Sequence, residues 1–79
     1  MEPRLSFQYN RESDILTIQK RSPYVEQESE ELEDEVIARL NPTTGEVESL
    51  EVLFFSTRLL RDSTFELPIA ADLRLLPIG

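Results

Sequence analysis

Carboxylates and arginines are the main side chains in this sequence that are capable of chemistry. The 79 residues contain 16 aspartates and glutamates, 8 lysines and arginines, and neither cysteine nor histidine. The chain therefore has no thiol nucleophile, no imidazole base, no disulfide and no Cys/His zinc site. The chemistry that remains is catalysis by paired carboxylates, cation or protein binding by an acidic cluster, and anion binding by arginines.

A carboxylate pair of the kind used in glycoside hydrolysis would be Glu12 with Asp14. Both residues lie in a segment rich in turn formers, where no apolar pocket would separate their pKa values. We therefore expect Asp14 to hydrogen-bond to backbone at the start of a strand, and we expect no catalytic residues. The only glycines are Gly45 and Gly79, too few for a phosphate-binding loop or a dinucleotide fingerprint.

An acidic run over residues 26–35 places seven of the sixteen carboxylates in ten positions. It predicts either a surface that binds a basic protein or a solvated loop that keeps a small protein soluble. A calcium loop usually needs a glycine at its sharp turn, and the run contains none. We expect no metal and no other cofactor. The candidate partner-binding residues are four glutamates of the run and one aromatic residue outside it: Glu28, Glu30, Glu31, Glu33 and Phe55.

Two phenylalanines and two arginines lie around the predicted helix. Phe54 is expected in the core, whereas Phe55 faces away from it across the pleat and is expected at a contact surface. Arg58 and Arg61 lie one helical turn apart and could hold an anion. Pairing with the surplus of surface acids is the simpler interpretation of these arginines.

The formal net charge of −8 and the pI near 4.4 argue against nucleic acids and anionic membranes as partners, since both require a basic face. The longest apolar run, Val52–Phe55, is far too short to span a bilayer. Residues 1–10 contain no apolar segment of a secretory signal. The absence of cysteine fits a reducing compartment, so we expect a soluble, cytoplasmic protein.

Alternating apolar and polar residues predict two β-hairpins. The first joins residues 4–9 to residues 15–20 through a polar turn. The second joins residues 36–40 to residues 46–54, and its turn, Asn41–Gly45, has proline early and glycine at the closing position.

The remaining segments are predicted from their charge and from residues that begin or end helices and strands. A short edge strand near residues 24–28 is followed by a solvated loop, because neighbouring like charges disfavour compact structure. A helix over residues 57–62 has Ser56 as its N-cap. Residues 69–76 form a further strand that closes an edge of the same sheet or pairs with a second copy. The predicted fold is α+β, a mostly antiparallel sheet of four to five strands with one short helix after the fourth strand.

Length predicts one small acidic domain over residues 1–79. In a chain this short, hydrophobic burial and conformational entropy nearly cancel. Without a disulfide, self-association is the readiest source of additional burial. We therefore expect a homodimer.

Part of the chain resembles a family of small prokaryotic proteins catalogued as domain of unknown function 2283. The resemblance is carried by Tyr9–Ile18, Val36–Leu40 and Gly45–Leu53, and it covers about residues 4–61. Three positions depart from the family's usual residues: Asn10, Arg11 and Arg39. The resemblance implies a short apolar strand, a valine-rich hairpin and a brief helix, and it implies no established activity. Because some members lie beside small toxin-like genes, it also suggests an antitoxin role by association.

These features predict a protein-binding module without enzymatic activity. The most specific version of this prediction is an antitoxin-like partner of a basic protein. The alternative is a self-assembling homo-oligomer in which residues 69–76 pair between chains and no outside ligand exists. An enzyme would require an apolar pocket around two carboxylates.

Overall fold

A computed structural model describes residues 4–61 and 64–77 of the chain. These residues form a five-stranded antiparallel sheet and one short helix. The elements in chain order are β1 (Ser6–Asn10), β2 (Ile15–Gln19), β3 (Glu28–Glu33), β4 (Val36–Leu40), β5 (Val47–Leu53) and α1 (Phe55–Arg61). The α+β class is confirmed, but the helix follows the fifth strand and not the fourth.

The strand order across the sheet is β1-β2-β5-β4-β3. Both predicted hairpins are present, with β1 antiparallel to β2 and β4 antiparallel to β5. The second hairpin closes as its turn chemistry predicts, because the Asn41 side chain accepts the backbone N–H groups of Thr43 and Thr44 and Gly45 adopts φ +75°. Antiparallel pairing of β2 with β5 joins the two halves, which leaves β1 and β3 as the edges.

The structure of the acidic run contradicts the prediction of a strand near residues 24–28 followed by a loop. The strand is β3, it begins at Glu28, and it occupies much of the predicted loop. At a sheet edge the glutamate side chains remain in water while the backbone pairs with β4. Neighbours on the same face are about 7 Å apart in a strand, and solvent weakens their repulsion.

The prediction that a strand over residues 69–76 closes an edge of the same sheet is also wrong, whereas the alternative, pairing with a second copy, stays a prediction. This segment lies outside the sheet. Apolar residues alternate along this segment as they do in a strand, but a strand also needs a neighbouring strand with which to form backbone hydrogen bonds. The chain turns just before it, where the Ile69 N–H donates to the Leu67 carbonyl at 2.8 Å.

The hydrophobic core lies on one face of the sheet, around β4 and β5. Its buried residues are Val36, Ala38, Leu50 and Val52. Partly buried side chains surround the cluster, including Phe65 and Leu67 from the segment after α1: Ile18, Leu32, Leu40, Val47, Phe65 and Leu67. The opposite face carries a shallow polar depression, lined in part by Thr17, Arg39 and Glu51.

Helix α1 begins two residues earlier than predicted, at Phe55, and Ser56 is not its N-cap. Asp14 lies in the left-handed region at φ 58° and supplies the cap from the β1–β2 turn. Its carbonyl accepts the Phe55 N–H at 3.1 Å, and its carboxylate accepts the Ser56 N–H at 3.0 Å. The predicted last helical residue, Asp62, lies outside the described residues. In the described part of the chain, no helix has the length and apolar character needed to cross a membrane.

Candidate protein-binding edge

The four candidate glutamates lie together on β3, and all four are exposed. This strand pairs with β4 on one side only. The backbone N–H and C=O groups on the other side of an edge strand remain available to a further strand. We call the strand and its glutamates the β3 edge.

The register places carboxylates on both faces of the β3 edge. Glu30 lies opposite the buried Ala38, on the core side of the sheet, whereas Glu31 lies opposite Ile37. A register shift between Glu31 and Glu33 accompanies the packing of Leu32 against the core. The leucine therefore anchors a strand whose other residues are exposed.

The charge of the β3 edge is not neutralised within the described residues. Most basic side chains pair with other acids: Lys20 with Glu46, Arg21 with Glu48, Arg39 with Glu51, Arg58 and Arg61 with Glu35, and Arg74 with Asp72. Across residues 4–61 and 64–77, no ion pair involves Glu28, Glu30, Glu31 or Glu33. Four carboxylates without a basic partner in the described residues thus lie on one strand of six residues.

The two phenylalanines have exchanged their predicted environments. Phe54 is exposed, and its φ of +53° breaks the alternation of the strand, which ends at Leu53. Phe55 is partly buried, with its ring centroid 6.0 Å from that of Tyr9 and 6.4 Å from that of Phe65. Phe55 therefore contacts β1, the opposite edge of the sheet, and the structure does not group it with the glutamates.

Sequence reasoning missed the environment of Glu48. This glutamate is only 4% exposed, and its carboxylate accepts hydrogen bonds from the Tyr24 hydroxyl at 2.5 Å, the Gln27 amide at 3.1 Å and the Asn41 amide at 3.4 Å. The Tyr24 hydrogen bond is the main cause that lowers the pKa of Glu48, and the same bond raises the pKa of Tyr24. The sequence did contain one indication: Glu48 lies two residues before Leu50, on the strand face that Leu50 and Val52 predict to be buried.

Glu48 holds the segment that leads into β3. A general acid needs a raised pKa, whereas the pKa of this carboxylate is lowered and its oxygens are occupied by donors. Tyr24 and Gln27 lie just before Glu28, so their bonds to Glu48 fix where the β3 edge begins. The group is a structural anchor.

The carboxylate pair of Glu12 and Asp14 also serves structure. Asp14 accepts the Tyr9 hydroxyl at 2.6 Å and the Ser56 hydroxyl at 2.8 Å. The Tyr9 hydrogen bond is the largest of the causes that lower the pKa of Asp14. Asp14 hydrogen-bonds to backbone as expected, but the backbone belongs to α1 and not to its own strand. The Glu12 N–H donates to the Asn10 side chain at 2.9 Å, within the turn.

The arginines of α1 pair with acids, as predicted. Arg58 and Arg61 approach the same Glu35 oxygen at 3.3 and 3.8 Å, and Arg58 donates to the Asp34 carbonyl at 2.5 Å. The Arg58 guanidinium also lies 5.0 Å from the centre of the Phe65 ring, within the range of a cation–π contact. These contacts tie α1 to the β3–β4 turn.

The described residues contain no group of three acidic side chains placed to hold a metal ion. Comparisons of the chain with protein-family models, curated proteins and solved structures found no match. The resemblance described above therefore stays a prediction.

Proposed function

We propose that this chain is a protein-binding module that engages a basic protein through the β3 edge. The observation that supports the proposal concerns the part of the chain that the structure describes: four exposed glutamates there lack basic partners and lie on a strand that is paired on one side only. A strand of a partner can add to such an edge through backbone hydrogen bonds. Lysines or arginines on that strand would meet the glutamates, which gives the contact its specificity.

The same charges select against a second copy of this chain at the β3 edge. Two acidic strands side by side place like charges opposite one another, which is unfavourable. A basic strand has the opposite sign and gains from the same arrangement. The edge thus discriminates between partners by charge.

An antitoxin-like role, in which the partner is a small basic toxin, is the most specific form of this proposal. It rests on the resemblance given above together with the acidic edge. The module acts without enzymatic activity in this proposal, which is supported by the structural roles of Glu48 and Asp14. A cytoplasmic location is supported by the absence of cysteine, and nucleic acids and anionic membranes are disfavoured as partners by the net charge.

The first test uses a short extended peptide of consecutive lysines, whose side chains lie on both faces of a strand as the four glutamates do. Glutamine replaces the four glutamates in one variant, E28Q/E30Q/E31Q/E33Q. At about 0.5 kcal/mol for each exposed ion pair, four pairs contribute about 2 kcal/mol, or roughly thirtyfold in Kd. We expect calorimetry to show that loss, together with a weaker dependence of Kd on salt concentration.

The matched control changes the same charge elsewhere. It replaces four exposed glutamates outside β3, in the variant E12Q/E26Q/E46Q/E66Q. Equal losses in the two variants would mean that only net charge matters and would contradict a specific edge. A peptide with alternate amides N-methylated keeps its charge but cannot pair with a strand, so unchanged binding of that peptide would exclude strand addition.

The natural partner can then be sought with the same variants. Proteins captured from the native cell extract at low salt by the wild-type chain and the control variant, but not by the four-glutamine variant of β3, are the candidates. Native mass spectrometry gives their stoichiometry.

A further inference from the structure

We propose that the β1 edge of one chain binds residues 69–76 of a second copy, and that the exchange is reciprocal. The product is a symmetric dimer in which each sheet gains a sixth strand. This inference concerns the edge opposite β3 and is independent of the function proposed above.

The β1 edge is uncharged and carries exposed apolar side chains, whereas the β3 edge is acidic. All five residues of β1 are uncharged, and β1 pairs with β2 alone. Leu5, Phe7 and Tyr9 alternate along one face, and Phe7 is 64% exposed. An uncharged edge strand with exposed apolar side chains is a site at which another strand adds.

Residues 69–76 have the complementary features. Ile69, Ala71, Leu73 and Leu75 alternate with the other residues, and Leu75 is 100% exposed while Leu73 is 81% exposed. The segment contains neither proline nor glycine, so each of its residues retains a backbone N–H. Eight extended residues span about 26 Å, and the five residues of β1 about 17 Å, so the segment is long enough to cover the strand.

A second copy is the occupant because, within the described residues, neither the outer side of β1 nor residues 69–76 has a partner strand. In the described residues, β1 and residues 69–75 are exposed, Leu76 is partly buried, and β1 shares no backbone hydrogen bond with residues 69–76. The start of the tail is nevertheless held near β1, because Phe65 contacts Phe55, which in turn contacts Tyr9.

Charge also favours the β1 edge as the contact between copies. Two chains of net charge −8 repel each other, and their β3 edges repel most strongly. Arg4 and Arg11 flank β1, so this edge is the less acidic side. Residues 69–76 carry one aspartate and one arginine and are neutral overall, and Asp72 can lie beside an arginine that flanks β1 of the other copy.

The test is the oligomeric state of full-length variants, measured by analytical ultracentrifugation over a range of concentrations. The variant L73K/L75K alters the segment, and F7K alters the β1 edge. The control V25K/L60K has the same change of charge as L73K/L75K at two side chains that are 97% and 89% exposed. Because all these side chains are exposed, circular dichroism should show an unchanged fold for each variant.

We expect the wild type and the control to dimerise, whereas L73K/L75K and F7K each have a dimer Kd at least about a hundredfold higher. Mixing the two defective variants supplies the decisive observation. The L73K/L75K chain retains its β1 edge, and the F7K chain retains its segment, so a heterodimer with one intact contact should form where neither variant dimerises alone.

Other outcomes overturn the proposal. A wild type that is monomeric up to about 1 mM has no such contact. Dimers that resist L73K/L75K but dissociate with F7K would show pairing of β1 with β1. The absence of a heterodimer in the mixture would show that the two surfaces do not bind each other.

Discussion

Replacing Leu50 with alanine should remove about half of the stability of this chain. Leu50 is 4% exposed and lies in the central strand, between Ile18 on β2 and Ala38 on β4. Phe65 and Leu67 pack against the cluster to which it belongs. The substitution removes the largest buried side chain of this cluster and leaves a cavity beneath the segment that follows α1.

The expected loss is in the lower half of the range for such substitutions, which is about 2 to 5 kcal/mol. Phe65 and Leu67 belong to a segment outside the sheet, so they can move partly into the space. We therefore expect about 2.5 kcal/mol, out of a total of roughly 5 kcal/mol for a small domain. With an m value of about 1 kcal/mol/M in urea, the midpoint should fall by about 2.5 M.

Urea unfolding followed by far-ultraviolet circular dichroism measures this change at one fixed protein concentration. Leu60→Ala is the control, because Leu60 is 89% exposed on α1 and its loss should change stability by less than about 0.5 kcal/mol. The m value should stay constant in both variants. A midpoint for Leu50→Ala that matches the control would refute the assignment of the core to this face of the sheet.

Three further substitutions test the anchors and the turn. The Tyr24 hydrogen bond lowers the pKa of Glu48 below its ordinary value of 4.5, so the stability from this carboxylate is present above pH 4.5 and is lost as the pH falls through the folded-state pKa. Glu48→Gln should therefore lower the urea midpoint at neutral pH, and the difference in midpoint between this variant and the wild type should become smaller in acid. A difference in midpoint that stays constant with pH would contradict a stabilising role of the charged carboxylate. Gly45→Ala meets no atom within 4 Å but keeps φ near +75°, so backbone strain alone should cost about 1 kcal/mol, or about 4 to 8 °C in Tm; a much larger drop would reveal a packing role. Asp14→Asn removes the negative charge of the group that accepts the Ser56 N–H, and amide exchange in α1 should accelerate while that of β4 and β5 stays constant. Unchanged exchange in α1 would show that the charge is dispensable, because the asparagine oxygen can still accept this bond.

The hairpins could be predicted because their signals are local. Alternation identified the buried faces, and Asn41 with Gly45 identified the turn between β4 and β5. The acidic run was misjudged because its conformation depends on β4, which offers a backbone edge to any neighbour. Placing residues 69–76 in the same sheet was wrong for the reverse reason, since their pattern is that of a strand but the sheet of the described residues does not pair with them.

The candidate site was only partly visible in the sequence. The four glutamates of β3 could be selected by their density, but their alignment along one edge depends on pairing between strands. Phe54 and Phe55 exchanged environments because the strand ends at Leu53 and a left-handed residue follows, which no alternation rule anticipates. The anchor at Glu48 combines side chains from three separate segments, so spacing alone could not reveal it.

The strand order has a consequence for synthesis on the ribosome. The central strand of the sheet, β5, is the last strand to be made, and two of the four core residues, Leu50 and Val52, belong to it. Until it emerges, β1 with β2 and β3 with β4 are separate hairpins, and an isolated hairpin is marginally stable in water. The nascent sheet therefore stays open until β5 emerges and inserts between the two hairpins.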